Sequence, residues 1–179
     1  MKVYQRSCKH PRILWIAITL AGIFLDQLTK LLVSGSMRLH ESITVIPGLF
    51  SITYHQNRGA AWGMLADHRW VFILVSTITI AGLLAFLILT KRRDPLMLSA
   101  LAMILSGGIG NMIDRLALGY VVDMIHAVFI DFPIFNVADS FVCVGAVLLF
   151  IAVLFEAKEE GLEKKTAESE DVTDDAADL

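Results

Sequence analysis

Four long apolar segments constrain this chain more than any other feature. They span roughly residues 13–33, 71–90, 96–115 and 134–155. Each is close to the length of about 20 residues that an α-helix needs to cross a hydrocarbon core. Of the 179 residues, 56% are hydrophobic, and the second segment carries no charge at all. The sequence therefore predicts an all-α membrane protein with four transmembrane helices rather than a soluble domain.

The first apolar segment also has features of a cleaved signal peptide. Basic residues precede it, and the small residues Ser34-Gly35-Ser36 follow it. However, Asp26 and Lys30 interrupt the apolar run before these small residues, and three further spans follow. We therefore interpret the segment as a retained transmembrane helix.

The distribution of Lys and Arg predicts the orientation of the chain. The N-terminal arm carries four, the 91–95 connection three and the segment after Phe155 three, ten in all. The 34–70 loop carries three and the 116–133 loop none. Because basic loops stay in the cytoplasm, we expect both termini to be cytoplasmic and the 34–70 and 116–133 loops to lie outside.

An acidic tail follows the fourth segment. Residues 156–179 are rich in Asp and Glu and poor in apolar residues, a composition typical of disorder. The predicted organisation is one membrane domain over residues 1–155 and a disordered cytoplasmic tail over residues 156–179. The net charge of −3 mostly reflects this tail and indicates no nucleic-acid partner.

The first outer loop is predicted to hold a small β-sheet on the membrane surface. Residues 42–54 place β-branched and aromatic residues on either side of Pro47-Gly48, a pattern typical of two short strands joined by a turn. In the stretch 57–63 that follows, the glycines would let the backbone approach a ligand closely. An ordinary amphipathic loop is the alternative.

Polar residues converge at the outer ends of three apolar segments. Asp26 and Lys30 lie four residues apart on one helix face and most simply form an ion pair. The third segment ends in Gly110-Asn111-Met112-Ile113-Asp114-Arg115, and the fourth begins near Asn136. Asp114 and Arg115 could cap or anchor the third helix, and Arg115 could also bind a lipid or substrate phosphate.

Two carboxylates, Asp123 and Asp139, have no basic residue near them in sequence. An Asp at the centre of a membrane helix costs about 2.5–3.5 kcal/mol, so these residues need a reason to be there. When two carboxylates lie close together, one keeps a proton. An aspartic peptidase uses such a pair: the ionised member takes a proton from water, and the protonated member polarises the scissile carbonyl. Asp131 is a rival third carboxylate that we rank below Asp123.

Other chemistries lack a complete set of residues. Cys8 and Cys143 provide neither a disulfide framework nor a metal pair, and no HExxH spacing occurs. No Gly-x-Ser-x-Gly motif supports a serine nucleophile. We therefore expect no metal and no other cofactor, and we interpret His55 and His126 as hydrogen-bonding partners.

The motifs together resemble those of lipoprotein signal peptidases, the signal peptidase II family. Four blocks match in order: Asp26-Gln27-Leu28-Thr29-Lys30, Asn57-Arg58-Gly59-Ala60-Ala61-Trp62, Gly110 to Arg115, and Val122-Asp123 with Phe135-Asn136-Val137-Ala138-Asp139. The resemblance extends to about Phe155. It implies a four-helix aspartyl endopeptidase of the bacterial inner membrane with an outer-surface β-cradle. Such an enzyme removes the signal peptide from diacylglyceryl-modified prolipoproteins by cleaving before the lipidated cysteine.

The resemblance also implies roles for individual residues. Asp123 and Asp139 would form the catalytic dyad, and Asp26 and Lys30 would support the first helix and the cradle. The residues that would shape the site or hold substrate are Asn57, Gly59, Asn111, Asp114, Arg115, Asn136 and Ala138. The implied partners are lipid-modified prolipoproteins, membrane lipids and the cyclic peptide inhibitor globomycin.

The sequence departs from the family pattern at two places. Trp62 stands where Phe is common, which predicts an altered fit to substrate. The stretch between the two aspartates is rather short, which predicts a different lid over the site.

Two other classes of function stay open at this point. A small intramembrane transporter or proton-relay subunit would also carry buried charges, although a relay should distribute them across the bilayer. A scaffold protein would explain the glycines and the aromatic loop but not two uncompensated carboxylates. Only the peptidase predicts that uncut prolipoprotein accumulates when an inhibitor is added.

Overall fold

The computed structural model describes residues 10–59, 69–91 and 94–177, and its side chains as far as Lys158. The helices are α1 (Pro11–Ser36), α2 (Arg69–Leu89), α3 (Pro95–Ala117) and α4 (Val137–Ala177). The strands are β1 (Ser42–Ile46), β2 (Phe50–Asn57) and β3 (Val121–Ala127). All four helices contain stretches long and apolar enough to cross a membrane. The predicted class, four transmembrane helices with a small sheet, is confirmed.

The third helix, α3, is central and packs against the other three. Its start follows from local sequence: Pro95 occupies the first turn, and the Asp94 carboxylate accepts the backbone N–H groups of Leu96 and Met97, both at 3.1 Å. One apolar cluster joins α3 to α2 and α4. Its buried members are Leu87, Met97, Leu98, Leu101, Leu105 and Ala152.

The first helix, α1, buries polar and small residues and exposes apolar ones. Its buried positions are Thr19, Gly22, Asp26 and Lys30. They recur every three or four residues and so form one stripe along the helix. The most exposed apolar positions include Leu20, Phe24 and Leu31. This pattern is the reverse of a soluble helix and fits a helix whose outer surface faces lipid.

The strands form one antiparallel sheet in the order β1-β2-β3. The β1-β2 hairpin confirms the two predicted strands, and Gly48 in its turn has φ +74°, which glycine adopts without strain. The third strand lies inside the 116–133 loop and was not predicted. It contacts α1 and α3, so the sheet is held to the ends of these helices.

The fourth helix differs from its predicted bounds at both ends. It begins at Val137 rather than at residue 134, because Phe135 still pairs with Ile125 of β3. It continues to Ala177, through residues whose composition predicts disorder. The division of the chain at residue 155 stays a prediction. The predictions about Cys8 and Trp62 concern residues outside those that the structure describes.

Candidate active site

The two carboxylates come from different elements. Asp123 lies in the middle of β3, opposite His55 of β2, and is 1% exposed. Asp139 lies in the first turn of α4 and is partly buried. Because Phe135 pairs with β3, the start of α4 is drawn towards the strand that carries Asp123. The structure thus brings together two residues that lie sixteen positions apart in the sequence.

Asn136 begins α4 with a reciprocal cap. Its side-chain Oδ1 accepts the backbone N–H of Asp139 at 2.9 Å, and its own backbone N–H donates to Asp139 Oδ2 at 3.2 Å. This is the arrangement of a capping box, with Asn and Asp in place of the usual Ser/Thr and Glu/Gln. The carboxylate of Asp139 therefore has a fixed orientation at the helix end.

The same asparagine side chain also contacts the other aspartate. Asn136 Nδ2 donates to Asp123 Oδ1 at 2.7 Å and to Asn111 Oδ1 at 3.1 Å, and Asn136 is fully buried. Asn136 thus forms hydrogen bonds with both Asp123 and Asp139. The second oxygen of Asp123 accepts Asn57 Nδ2 at 3.0 Å, and Asn57 Oδ1 accepts the backbone N–H of Gly59 at 2.9 Å.

Asn111 of α3 links the aspartates to a charged cluster. Its Nδ2 donates to Asp139 Oδ1 at 2.7 Å, and its Oδ1 accepts Lys30 Nζ at 2.9 Å. Lys30 also pairs with Asp26 at 2.9 Å and with Asp114 at 3.0 Å. The predicted ion pair of Asp26 and Lys30 is therefore present, and Asp114 completes it.

The charged cluster also orients the backbone on both sides of the site. Asp114 Oδ2 accepts the N–H of Val122, directly before Asp123, at 3.0 Å. Asp26 Oδ1 accepts the N–H of Ala138, directly before Asp139, at 2.9 Å. Each aspartate thus follows a residue whose backbone is held by a buried carboxylate.

Gln27 is a site residue that the sequence analysis did not single out. Its Nε2 donates to Asp26 Oδ2 at 3.2 Å, to Asp114 Oδ1 at 3.1 Å and to the carbonyl of Gly110 at 3.2 Å. Its position inside the first motif block, between two residues that were singled out, was the available signal.

Arg115 lies beside the site without an ion pair among the described residues. Its guanidinium lies 5.0 Å from the centre of the Phe72 ring, and its Nη1 donates to the carbonyl of Asn111 at 3.4 Å. The first contact is a cation–π interaction between α3 and α2. The contact fits the anchoring role that the sequence suggests for Arg115, and that role stays a prediction.

The remaining candidates lie further away. Asp131 is exposed and has no described contact with the dyad. His126 Nδ1 lies 3.4 Å from Ser51 Oγ, and the His55 ring lies 5.8 Å from the ring of His40. Burial and the charge of His40 lower the pKa of His55. Among the described residues, no group of three or more His, Cys, Asp or Glu side chains could hold a metal ion.

Burial and a neighbouring charge act on Asp123 in the same direction. Loss of water around its carboxylate, followed by the charge of Asp139, raises the pKa of Asp123 to about 7. The hydrogen bonds from Asn57 and Asn136 and the charge of Lys30 lower this pKa but do not cancel the rise. Asp123 can therefore carry a proton near neutral pH while its neighbour is ionised.

Sequence relatives and solved structures agree on one kind of protein. A model of the Signal peptidase (SPase) II family matches residues 18–155. The lipoprotein signal peptidase of Bacillus pumilus (strain SAFR-032) is 46% identical over 144 residues, which are 79% of this chain and 93% of the relative. The lipoprotein signal peptidase of Bacillus subtilis (strain 168) is 43% identical over 153 residues, 84% of this chain and 99% of the relative.

Two solved structures, each described as a bacterial membrane enzyme studied by the in meso method, share the fold. The first, at 2.3 Å resolution, is 37% identical with a TM-score of 0.77, covering 81% of this chain and 90% of its own. The second, at 1.9 Å resolution, is 34% identical with a TM-score of 0.75, covering 85% and 98%.

The four apolar helices and these neighbours define a multi-pass membrane enzyme. The chain belongs to the signal peptidase II family, a family of proteases. The resemblance identified from the motif blocks is therefore confirmed.

Proposed function

We propose that this protease removes the signal peptide from diacylglyceryl-modified prolipoproteins, cleaving before the lipidated cysteine with Asp123 and Asp139 as its catalytic dyad. The observation that carries the proposal is that both carboxylates bind one buried asparagine, Asn136. Neither aspartate has an ion-pair partner within the described part of the chain. Within that part, the two aspartates therefore do not stabilise the fold as members of salt bridges, and catalysis accounts for their presence.

The reaction needs the two carboxyl groups in different protonation states. The ionised aspartate takes a proton from a water molecule as the water attacks the scissile carbonyl. The protonated aspartate donates a hydrogen bond to the carbonyl oxygen and then a proton as the tetrahedral intermediate forms. The aspartate that took the proton from water then gives it to the leaving amine, the C–N bond breaks, and the other aspartate takes back a proton from a hydroxyl group of the intermediate. Both carboxyl groups return to their starting states, and no covalent enzyme intermediate forms. The pKa of about 7 for Asp123 supports the presence of one proton in the pair at neutral pH.

The neighbouring residues would hold the dyad and the substrate. Asn57, Asn111 and Asn136 donate hydrogen bonds to the aspartates, so we assign them to orientation of the carboxylates. We propose that Gly59, Ala138 and Arg115 shape the surface against which the substrate lies. Asp114 would orient β3 through its contact with Val122.

The substrate explains why the site lies at one end of the helices. The two lipid chains of a prolipoprotein can stay in the bilayer while the modified cysteine lies at its surface. With both termini in the cytoplasm, as the positive charges predict, this surface is the outer face of a bacterial inner membrane. We expect the cyclic peptide globomycin, the inhibitor that the resemblance to the family implies, to compete with the substrate here.

The proton-relay alternative has less support. Charged side chains of α1, α3 and β3 converge on one network with the start of α4. Between Trp70 and Leu89, α2 carries no Asp, Glu, Lys or Arg. Groups that carried protons across a bilayer would extend along its depth instead.

The test is cleavage of a diacylglyceryl-modified prolipoprotein by purified protein in detergent. We expect Asp123→Asn and Asp139→Asn each to lose nearly all activity, at least about a thousandfold, because each removes one of the two proton-transfer groups. Asp131→Asn is the matched control: the same substitution at an exposed aspartate of the same loop should keep the wild-type rate. Thermal unfolding of each variant checks that it folds.

Each result has a separate meaning. A wild type that fails to cut a substrate cut in parallel by a curated relative would remove the proposed activity. A wild type that cuts while Asp123→Asn keeps near-normal rates would leave the activity and overturn the dyad, and loss of activity in Asp131→Asn would make Asp131 the replacement.

A further inference from the structure

Lys30 is the buried cation next to the candidate dyad. It is 3% exposed, and its ammonium group has three N–H donors. One donor contacts Asp26, one contacts Asp114, and the third contacts Asn111 Oδ1, at 2.9, 3.0 and 2.9 Å. Two carboxylates alone would compensate the charge of Lys30. The third contact is directed at an amide whose other end binds Asp139.

The contact with Lys30 determines which way the Asn111 amide faces. An ammonium group can only donate hydrogen bonds, and an ionised carboxylate can only accept them. Asn111 therefore turns Oδ1 towards Lys30 and Nδ2 towards Asp139. The Nδ2 group of Asn136 also donates to this oxygen. A reversed amide would place N–H groups against two donors and a carbonyl against a carboxylate.

The two aspartates differ in this respect. The amide that binds Asp139 Oδ1 is itself polarised by a buried cation, which strengthens it as a donor. The amides that bind Asp123 come from Asn57 and Asn136, and neither of them accepts from Lys30. A stronger donor favours the ionised form of the carboxylate that it binds.

We propose that Lys30 is a positioning residue for the dyad. By donating to Asn111, it directs the Asn111 amide onto Asp139 and holds Asp139 as the ionised, water-activating member, so that Asp123 keeps the shared proton. The inference rests on the proposed function and deepens it, because it assigns different roles to the two aspartates. The effect of the Asp139 charge on Asp123 has the same direction.

The charged groups around this contact come from several elements. Besides Lys30 itself, they are Asp26 from α1, Asp114 from α3, Asp123 from β3 and Asp139 from α4, and Arg115 from α3 interacts electrostatically with the last three of these carboxylates. Asp26, Lys30 and Asp114 together carry a net charge of −1. A test of Lys30 therefore has to keep this net charge constant.

The double variant Lys30→Met/Asp26→Asn meets this requirement. It removes one charge of each sign, and Met is an unbranched side chain that fills the space of the lysine stem. Asp114 keeps its hydrogen bonds from Val122 and Gln27. The control is Asp26→Asn alone, which removes the ion pair of α1 and leaves the contact between Lys30 and Asn111.

We expect kcat of the double variant to fall at least about tenfold below those of the wild type, which has the same net charge in this cluster, and of Asp26→Asn, with KM changed less than about threefold. The charge of Lys30 lowers the pKa of Asp123. Because the double variant lacks this charge, the alkaline limb of the pH–rate profile of the double variant should move to higher pH, by about one unit. A purely structural role for Lys30 predicts a lower melting temperature with an unchanged kcat, wherever the limb lies, and that result would overturn the proposal. The wild type, measured in parallel, shows separately whether the peptidase activity itself exists.

A second measurement covers the case in which the double variant does not fold. The infrared carbonyl stretch of a protonated carboxyl group should be present in the wild type at pH 6, absent in Asp123→Asn, and unchanged in Asp131→Asn. Persistence of this band in Asp123→Asn would show that Asp139 holds a proton, and the proposed assignment would be wrong.

Discussion

Asn136 contacts both aspartates with one side chain. Its Oδ1 caps the backbone at Asp139, and its Nδ2 donates to Asp123. A substitution that removes this amide would free the start of α4 and leave a buried carboxylate short of a donor, which costs about 1–3 kcal/mol or more. A substitution of Asn136 therefore affects the cap of α4 and the hydrogen bonding of Asp123 at the same time.

The raised pKa of Asp123 predicts the pH dependence of the rate. A folded pKa above the ordinary value means that the carboxyl group keeps its proton until about pH 7 and loses it above. The rate should therefore fall on the alkaline side with an apparent pKa near 7, which belongs to the pair. The measurement is kcat/KM between pH 5 and about 9. A rate that still rises above pH 8 would contradict the assignment of the proton.

Asn57 offers a separate test of the same carboxyl group. Its hydrogen bond lowers the pKa of Asp123, so Asn57→Ala should raise this pKa and move the alkaline limb to higher pH, by about half a unit to one unit. The neighbouring Gln56 donates to Tyr54 and not to Asp123. Gln56→Ala is therefore the control and should leave the limb where it is.

At the element scale, the approach of α3 to α4 depends on glycines. A Cβ atom built on Gly107 would collide with the carbonyl oxygen of Ala138, and one built on Gly145 would lie 2.8 Å from the carbonyl of Ala100. Backbone atoms cannot rotate away as side chains can. Within the 106–110 stretch of α3, neighbouring atoms approach closely at Gly107 and Gly110, whereas Gly108 has ordinary space around it.

Gly107→Ala should therefore lower stability and activity together. Overpacking of this kind costs about 1–3 kcal/mol, and the shift would act on Ala138, next to Asp139. Gly82→Ala in α2 is the control, since nothing lies within 4 Å of its added Cβ. The thermal midpoint in detergent measures both. Equal midpoints for the two variants would show that α4 moves aside without cost.

The third strand shows why part of the sheet was not predicted. Its first four residues are all buried, because neighbouring elements cover both of its faces, so the alternation that identifies a strand is absent. The hairpin of β1 and β2 was found because its turn carries Pro47-Gly48. The pairing that brings Asp123 to Asp139 is a contact between distant parts of the chain, and no local pattern encodes it.

For the whole molecule, four helices and one convergence of polar residues could be predicted from the sequence. The lengths of the apolar runs predict the number of helices and their approximate spans. Because burying a charge is costly, Asp26, Lys30 and Asp114 are predicted to contact groups that compensate their charges. The identity of those partners could not be predicted. Lys30 contacts Asp114 and Asn111 only because α1 packs on α3, and this packing depends on shape along the whole length of both helices.

The predicted orientation is open to a labelling test. Cysteines introduced as Asp131→Cys and Lys91→Cys, both at exposed positions, would report the two faces in a background with Cys8→Ser and Cys143→Ser. A maleimide that cannot cross membranes should label residue 131 in intact spheroplasts and residue 91 only after permeabilisation. The opposite pattern would place the dyad on the cytoplasmic side.

The pairing of Asp26 with Lys30 has a consequence for how the protein is made. The first helix leaves the ribosome and enters the bilayer well before α3 exists, so Asp114 and Asn111 are not yet there to receive its charges. Four residues apart on one helix, Asp26 and Lys30 can neutralise each other during this interval. The first helix therefore enters the bilayer with an internal ion pair. When α3 packs against it, Lys30 adds its contacts with Asp114 and Asn111, and the same pair becomes part of the site.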